Sequence, residues 1–148
     1  ALAAQLALAR RIDATLGESH QAIQQLRDLA ARLAQLAAQL GAGDRDLATA
    51  VTALQRRLDE LIGRERDFAE APELEPSLTV VHGGLAALAV SVGTGDAAPT
   101  AQAAAAFAAY RAQLDRVLAA GATLRATDLP ALNRRLAARG LGTIEPPP

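Results

Sequence analysis

The side chains with most capacity for chemistry are two histidines, His20 and His82, and a run of carboxylates, Glu65, Asp67, Glu70, Glu73 and Glu75. An imidazole can carry protons or ligate a metal near neutral pH. A protein metal site normally needs three or four converging ligands. The chain has no H-x-x-x-H or H-E-x-x-H spacing and no Cys. His20 and His82 therefore each read as a solvated or internally satisfied helical histidine. Paired carboxylates cleave glycosides when a rigid cleft holds them about 5–10 Å apart. The acidic run instead lies at a helix end and beside Pro72, so it reads as a solvated loop. Arg pairs stand at Arg10/Arg11, Arg56/Arg57 and Arg134/Arg135. Neighbours on a helix point about 100° apart. With Asp13, Asp59 and Asp128 interspersed, these pairs read as solvated faces rather than a phosphate-reading patch. There is no P-loop, no G-x-G-x-x-G and no G-x-S-x-G. No residue is assigned a catalytic, cofactor-binding or metal-ligating role.

His82 allows one sharper comparison. Histidine phosphotransfer domains are four-helix bundles with an exposed His, usually followed by Lys three residues on and then Gly. Here Gly83, Gly84, Leu85 and Ala86 follow His82, and the chain contains no Lys at all. A phosphotransfer-like module stays as an alternative reading.

Composition narrows the remaining classes. The chain has 148 residues and a net charge of -1, which fits one domain. A chain of this size buries roughly 70% of its unfolded surface. Hydrophobic residues make up 51% but aromatic ones only 2%, namely Phe68, Phe107 and Tyr110. Without Cys there is no disulfide scaffold, thiol nucleophile or zinc knuckle. Balanced charge argues against nucleic acid as a partner. Charges interrupt every apolar stretch before the roughly 18 residues a transmembrane helix needs, so no membrane insertion is expected.

The elements follow from periodicity. Residues 1–40 read as one helix of roughly 60 Å. Ile12, Leu26, Leu33 and Leu40 form one ladder, with Ser19 as its polar rung. Leu16, Ile23, Ala30 and Ala37 form a second, and Leu29 and Leu36 widen the seam. Leu2 and Leu6 already keep helical spacing, so residue 1 reads as a cut point. Gly41 suits a helix C′ position and Asp44 or Asp46 an N-cap. A second helix is predicted to about residue 67 on the seam Leu47, Val51, Leu54, Leu58 and Leu61, with Arg56 and Glu60 pairing outside. Pro72 and Pro76 exclude regular helix over 68–76. Ser77 caps a third helix to about 92, carrying Leu78, Val81, Leu85, Leu88 and Val92. Its Val content makes a strand the competing reading. Thr100 caps a fourth helix to about 126, with Phe107, Tyr110, Leu114, Val117 and Leu124 inward. Asp128 with Pro130 reads as a fresh helix start, running to Arg139 and stopped by Gly140. Leu141 and Ile144 are expected to fold back, and 146–148 form a disordered Pro tail.

The predicted fold is therefore all-α: an antiparallel four-helix bundle-like domain over 1–145, with a long first helix and a short extra C-terminal helix. Leu78–Leu88, Asp96-Ala97-Ala98-Pro99-Thr100, Asp128-Leu129-Pro130-Ala131-Leu132-Asn133, Gly140-Leu141 and Ile144 together resemble a known pattern. It is the C-terminal helical region of bacterial sortilin-like, BNR-repeat β-propeller proteins, often labelled glycosyl hydrolase or sialidase-like. The propeller's S-x-D-x-G-x-T-W turn is nowhere in this chain, and Val81-His82-Gly83-Gly84 replaces a Pro- and Asn-containing helix start. The resemblance implies a non-catalytic accessory domain of an exported protein, packing against its own propeller or forming a homo-oligomer. Leu26, Leu33, Leu36 and Leu40 are the residues expected to pack. A stand-alone scaffold bundle is the other alternative.

Overall fold

The ladders of the first helix are matched by three later stretches of the chain, and the way they are matched defines the architecture. In the computed structural model, residues 2–63, 76–94 and 99–146 are described. They form α1 (Leu2–Leu40), α2 (Arg45–Ile62), α3 (Leu78–Gly93), α4 (Ala101–Thr123), a π-helical segment (Leu124–Asp128) and α5 (Leu129–Ala138). No strand occurs among the described residues. The fold is an all-α helical bundle with a long first helix, as expected.

Long-range pairs show how the helices run. Ser19 meets His82 and Gln5 meets Val92, so α3 lies antiparallel along the N-terminal half of α1. Ala30, Ala34, Thr52, Gln55 and Asp59 line one shared groove, so α2 lies along the C-terminal half. Thus α2 and α3 follow one another beside α1. Their junction is tight. The Thr79 hydroxyl donates to the Ile62 carbonyl at 2.6 Å, and a Cβ on Gly63 would collide with the Ser77 side chain. Gly63 has φ +70°, which turns the chain out of α2 five residues before the expected end. Residues 64–75, with the acidic run, lie outside the described residues, as do Asp96–Ala98 and Pro147–Pro148.

The third rod runs parallel to α1. Arg11 sits over the Phe107 ring, Arg111 pairs with Glu18, and Gly121 lies against Leu26. This rod does not restart at Asp128. The Asp128 side chain makes no capping bond, and its backbone is already helical. Instead the helix passes through a wider turn in which the Leu129 N–H donates to the Leu124 carbonyl. The cause is the apolar spacing. In a regular α-helix Leu124 and Leu129 would point about 140° apart. The i→i+5 turn brings both inward, at 0% and 1% exposure. It also falls just before Pro130, whose ring has no N–H to continue a regular ladder.

Other local signals act as read. Asp44 accepts from Leu47 N–H, Ser77 from Val80 and Thr100 from Ala103, so each caps its helix. Gly41 and Gly140 both adopt positive φ where their helices stop. The core is aliphatic, with Ile12, Leu29, Leu33, Leu47, Leu58 and Leu136 among its fully buried members. Truncating such a leucine to Ala removes about 2–5 kcal/mol. Ile144 folds back and is buried, whereas Leu141 remains 40% exposed.

Candidate functional site

Two polar residues interrupt the buried face of α1, Thr15 and Ser19. Thr15 is satisfied locally, donating to the Arg11 carbonyl at 2.8 Å. Ser19 is fully buried and reaches across to α3. Its Oγ donates to the Leu16 carbonyl at 2.9 Å and lies 2.7 Å from Nδ1 of His82. A hydroxyl has one proton. The donor of this second contact depends on the imidazole tautomer; in the form with the hydroxyl proton on Leu16, it is an N–H that His82 donates from Nδ1. The other imidazole nitrogen, Nε2, then keeps its lone pair.

His82 is half-buried and His20 exposed. Their rings stand 6.2 Å apart between centroids, tilted by 42°. The two histidines that appear unrelated in the sequence therefore meet at the α1–α3 seam. Two residues after His82, Gly84 lets the Tyr110 ring of α4 lie directly against the α3 backbone. No Cβ could occupy that place without displacing the ring.

On the α4 side of Ser19, Arg111 is shared by two carboxylates. Its guanidinium lies 2.7 Å from Glu18 and 2.5 Å from Asp115. The hydrogen bond to Asp115 raises the Arg111 pKa above its usual range, with Glu18 adding to it, and Arg111 holds the Asp115 carboxyl below the usual carboxylate range. At the opposite end of the bundle, Asp44 is likewise held low, first by the Leu47 N–H and then by Arg139, which pairs with it. Arg57 reaches Asp128 at 2.6 Å, tying α2 to the third rod. The Arg pairs read as solvated faces thus include cross-helix ties: Arg11 on Phe107 and Arg57 on Asp128. The Arg56–Glu60 pair is not among the ion pairs formed by the described residues.

These facts limit the chemistry. Ser19 and His82 have the atoms of a nucleophile–base pair, but Ser19 is fully buried, so its oxygen is not presented to a substrate. Arg111 is already neutralised, so it supplies no cation for a phosphoryl group on His82. No group of three or more His, Cys, Asp or Glu residues placed to hold a metal occurs among the described residues. No helix among the described residues is long and apolar enough to cross a membrane.

Compared with family models, curated proteins and solved structures, the chain has no match in any of the three. The site therefore stands on its own geometry.

The residues expected to pack against a partner are mostly spent within the chain. Leu26, Leu33 and Leu36 are buried in its own core, and only Leu40 is partly exposed. Among the described residues the most exposed large apolar side chains are others: Leu2 at 78%, Val90 at 66% and Leu6 at 49%, followed by Val80 and Leu141 elsewhere. Gln5 Nε2 donates to the Val92 carbonyl at 2.9 Å, which places all three at one end of the bundle. Leu6 lies about 120° around α1 from the buried Ile12, so it faces away from α3 although Gln5 and Leu8 on either side of it are covered at the same level.

Proposed function

We propose that this chain is a non-catalytic helical interaction domain, the accessory bundle of a larger β-propeller protein, and that it meets the propeller through the end formed by Leu2, Leu6 and Val90. The observation that carries this reading is that apolar end. Exposed apolar patches mark interaction sites, and the three most exposed large apolar side chains among the described residues share this end. The resemblance puts the propeller before the bundle, on the side where Leu2 and Leu6 stand. The segments that bear the resemblance also cohere physically. Asn133 of the Asp128–Asn133 stretch binds Ile144, and Thr100 caps α4. Catalysis would then belong to the propeller; among the described residues the Ser19–His82 pair has its hydroxyl fully buried.

The test is the mass of the native protein in its source cells, read by blotting with an antibody against this chain. A band several times 15.2 kDa supports the reading. Charged substitutions at Leu2, Leu6 and Val90 should then loosen the bundle from the rest of the protein in limited proteolysis while leaving its helicity intact. A sole band near 15 kDa overturns it.

A further inference from the structure

Helix-interior glycine costs about 1 kcal/mol relative to Ala unless packing requires it. Gly84 is required by the Tyr110 ring, and Gly121 is buried against Leu26. Gly17 and Gly83 have no such reason, because a Cβ at either would meet nothing within 4 Å. Both lie beside the histidine pair. Gly17 is one turn before His20 in α1, and Gly83 directly follows His82 in α3. Both glycines therefore lower helix stability with no packing contact that requires them.

The pair is also prepared for ligation. Ser19 holds Nδ1 of His82 at 2.7 Å, which sets the ring's orientation, and the tautomer with the proton on Nδ1 leaves Nε2 as the donor atom. No protein group takes that Nε2 among the described residues. A hydrogen-bonded second nitrogen of this kind is what orients metal-binding histidines in general. His20 is exposed.

We propose that His20 and His82 form a two-imidazole chelate for a divalent transition metal, copper(II) above nickel(II) and zinc(II), with water or an incoming ligand in the remaining positions. With metal–nitrogen bonds of about 2.0–2.1 Å, two cis imidazoles place their ring centroids roughly 5 Å apart. The chelate requires the observed 6.2 Å to shorten by about 1 Å, a movement assigned to the exposed His20 side chain. Imidazole nitrogen with oxygen from water suits tetragonal copper(II), which also stands highest in the order of divalent affinities. Binding joins α1 to α3 directly.

The metal-free full chain is titrated with copper(II) chloride and with zinc chloride by calorimetry, and the copper form is examined by electron paramagnetic resonance. One copper per chain with two imidazole nitrogens in its hyperfine pattern is expected. His20→Gln, on an exposed helical position, keeps the fold and should weaken copper about a hundredfold by turning a two-point attachment into one. Ser19→Ala should weaken it about tenfold and retain both nitrogens. Equal copper affinity in the wild type and His20→Gln, or a single imidazole nitrogen in the spectrum, overturns the proposal.

Discussion

Asn133 holds Ile144 by both of its backbone polar groups. Its Nδ2 donates to the Ile144 carbonyl at 2.8 Å, and its Oδ1 accepts from the Ile144 N–H at 2.8 Å. The segment after α5 has no helical ladder of its own, so this carboxamide stands in for one. It seats Ile144 in the core, next to the point where Arg32 of α1 donates to the Glu145 carbonyl at 2.9 Å. Asn133→Ala should lower stability by about 1–3 kcal/mol, because two partly buried backbone groups lose their partners. Amide exchange resolves the cause. The Ile144 N–H should lose its protection in the variant, and unchanged protection there would show that another contact orders the tail.

Adjacent glycines in α3 should respond with opposite signs. Gly83→Ala adds a methyl group to open space and raises helix propensity, so it should stabilise by up to about 1 kcal/mol. Gly84→Ala drives a methyl group into the Tyr110 ring and should destabilise by about 1–3 kcal/mol. Urea midpoints at constant slope decide this. Two shifts of the same sign would show that the α3–α4 contact is looser than described.

The π turn before α5 absorbs one residue. Deleting the exposed Ala126 together with Pro130→Ala should convert Leu124–Leu129 to a regular i,i+4 pair. Both leucines would stay inward, and helicity and melting temperature would hold. The same deletion at Ala119, within regular α4, rotates every later buried position by about 100°. It should cost several leucine burials of about 2–5 kcal/mol each and leave the chain unfolded or molten. Circular dichroism with thermal melts separates the two. Equal damage from both deletions would refute the phasing argument.

Acid should weaken two surface ties through named carboxylates, Asp44 at the start of α2 and Asp115 within α4. Asp44 and Asp115 both lie below the ordinary value of 3.8 in the folded chain. A depressed folded pKa gives stability that is complete above 3.8 and is lost as pH falls below it toward the folded value. Both groups are at the surface, so the effect is small and salt-sensitive. Asp44→Asn keeps the capping oxygen and removes the charge. Wild type should therefore exceed this variant at neutral pH and converge with it in acid, as followed by urea melts across the range. A gap that persists at pH 2 would assign the difference to something other than ionisation.

What could be read from the residues in order was whatever depends on neighbours within a turn or two. Asp44, Ser77 and Thr100 announce helix starts because a short polar side chain before an apolar period has one good use there. Gly41 and Gly140 announce stops because only they take positive φ cheaply. The 3-4 spacing of α1 specified a buried face before any partner was known, Ser19 included. The break at Asp128 was misread because a five-residue apolar step looks like an interruption until a wider turn is allowed. Everything with chemical content needed the third dimension. A scan for histidines spaced along one helix cannot find His20 and His82, because their separation is set by how α3 lies on α1. Nor could it tell that Leu26, Leu33 and Leu36 are consumed internally while Leu2, Leu6 and Val90 are left outside. Helical period defines which face is apolar, and only tertiary packing decides which apolar residues a neighbour covers.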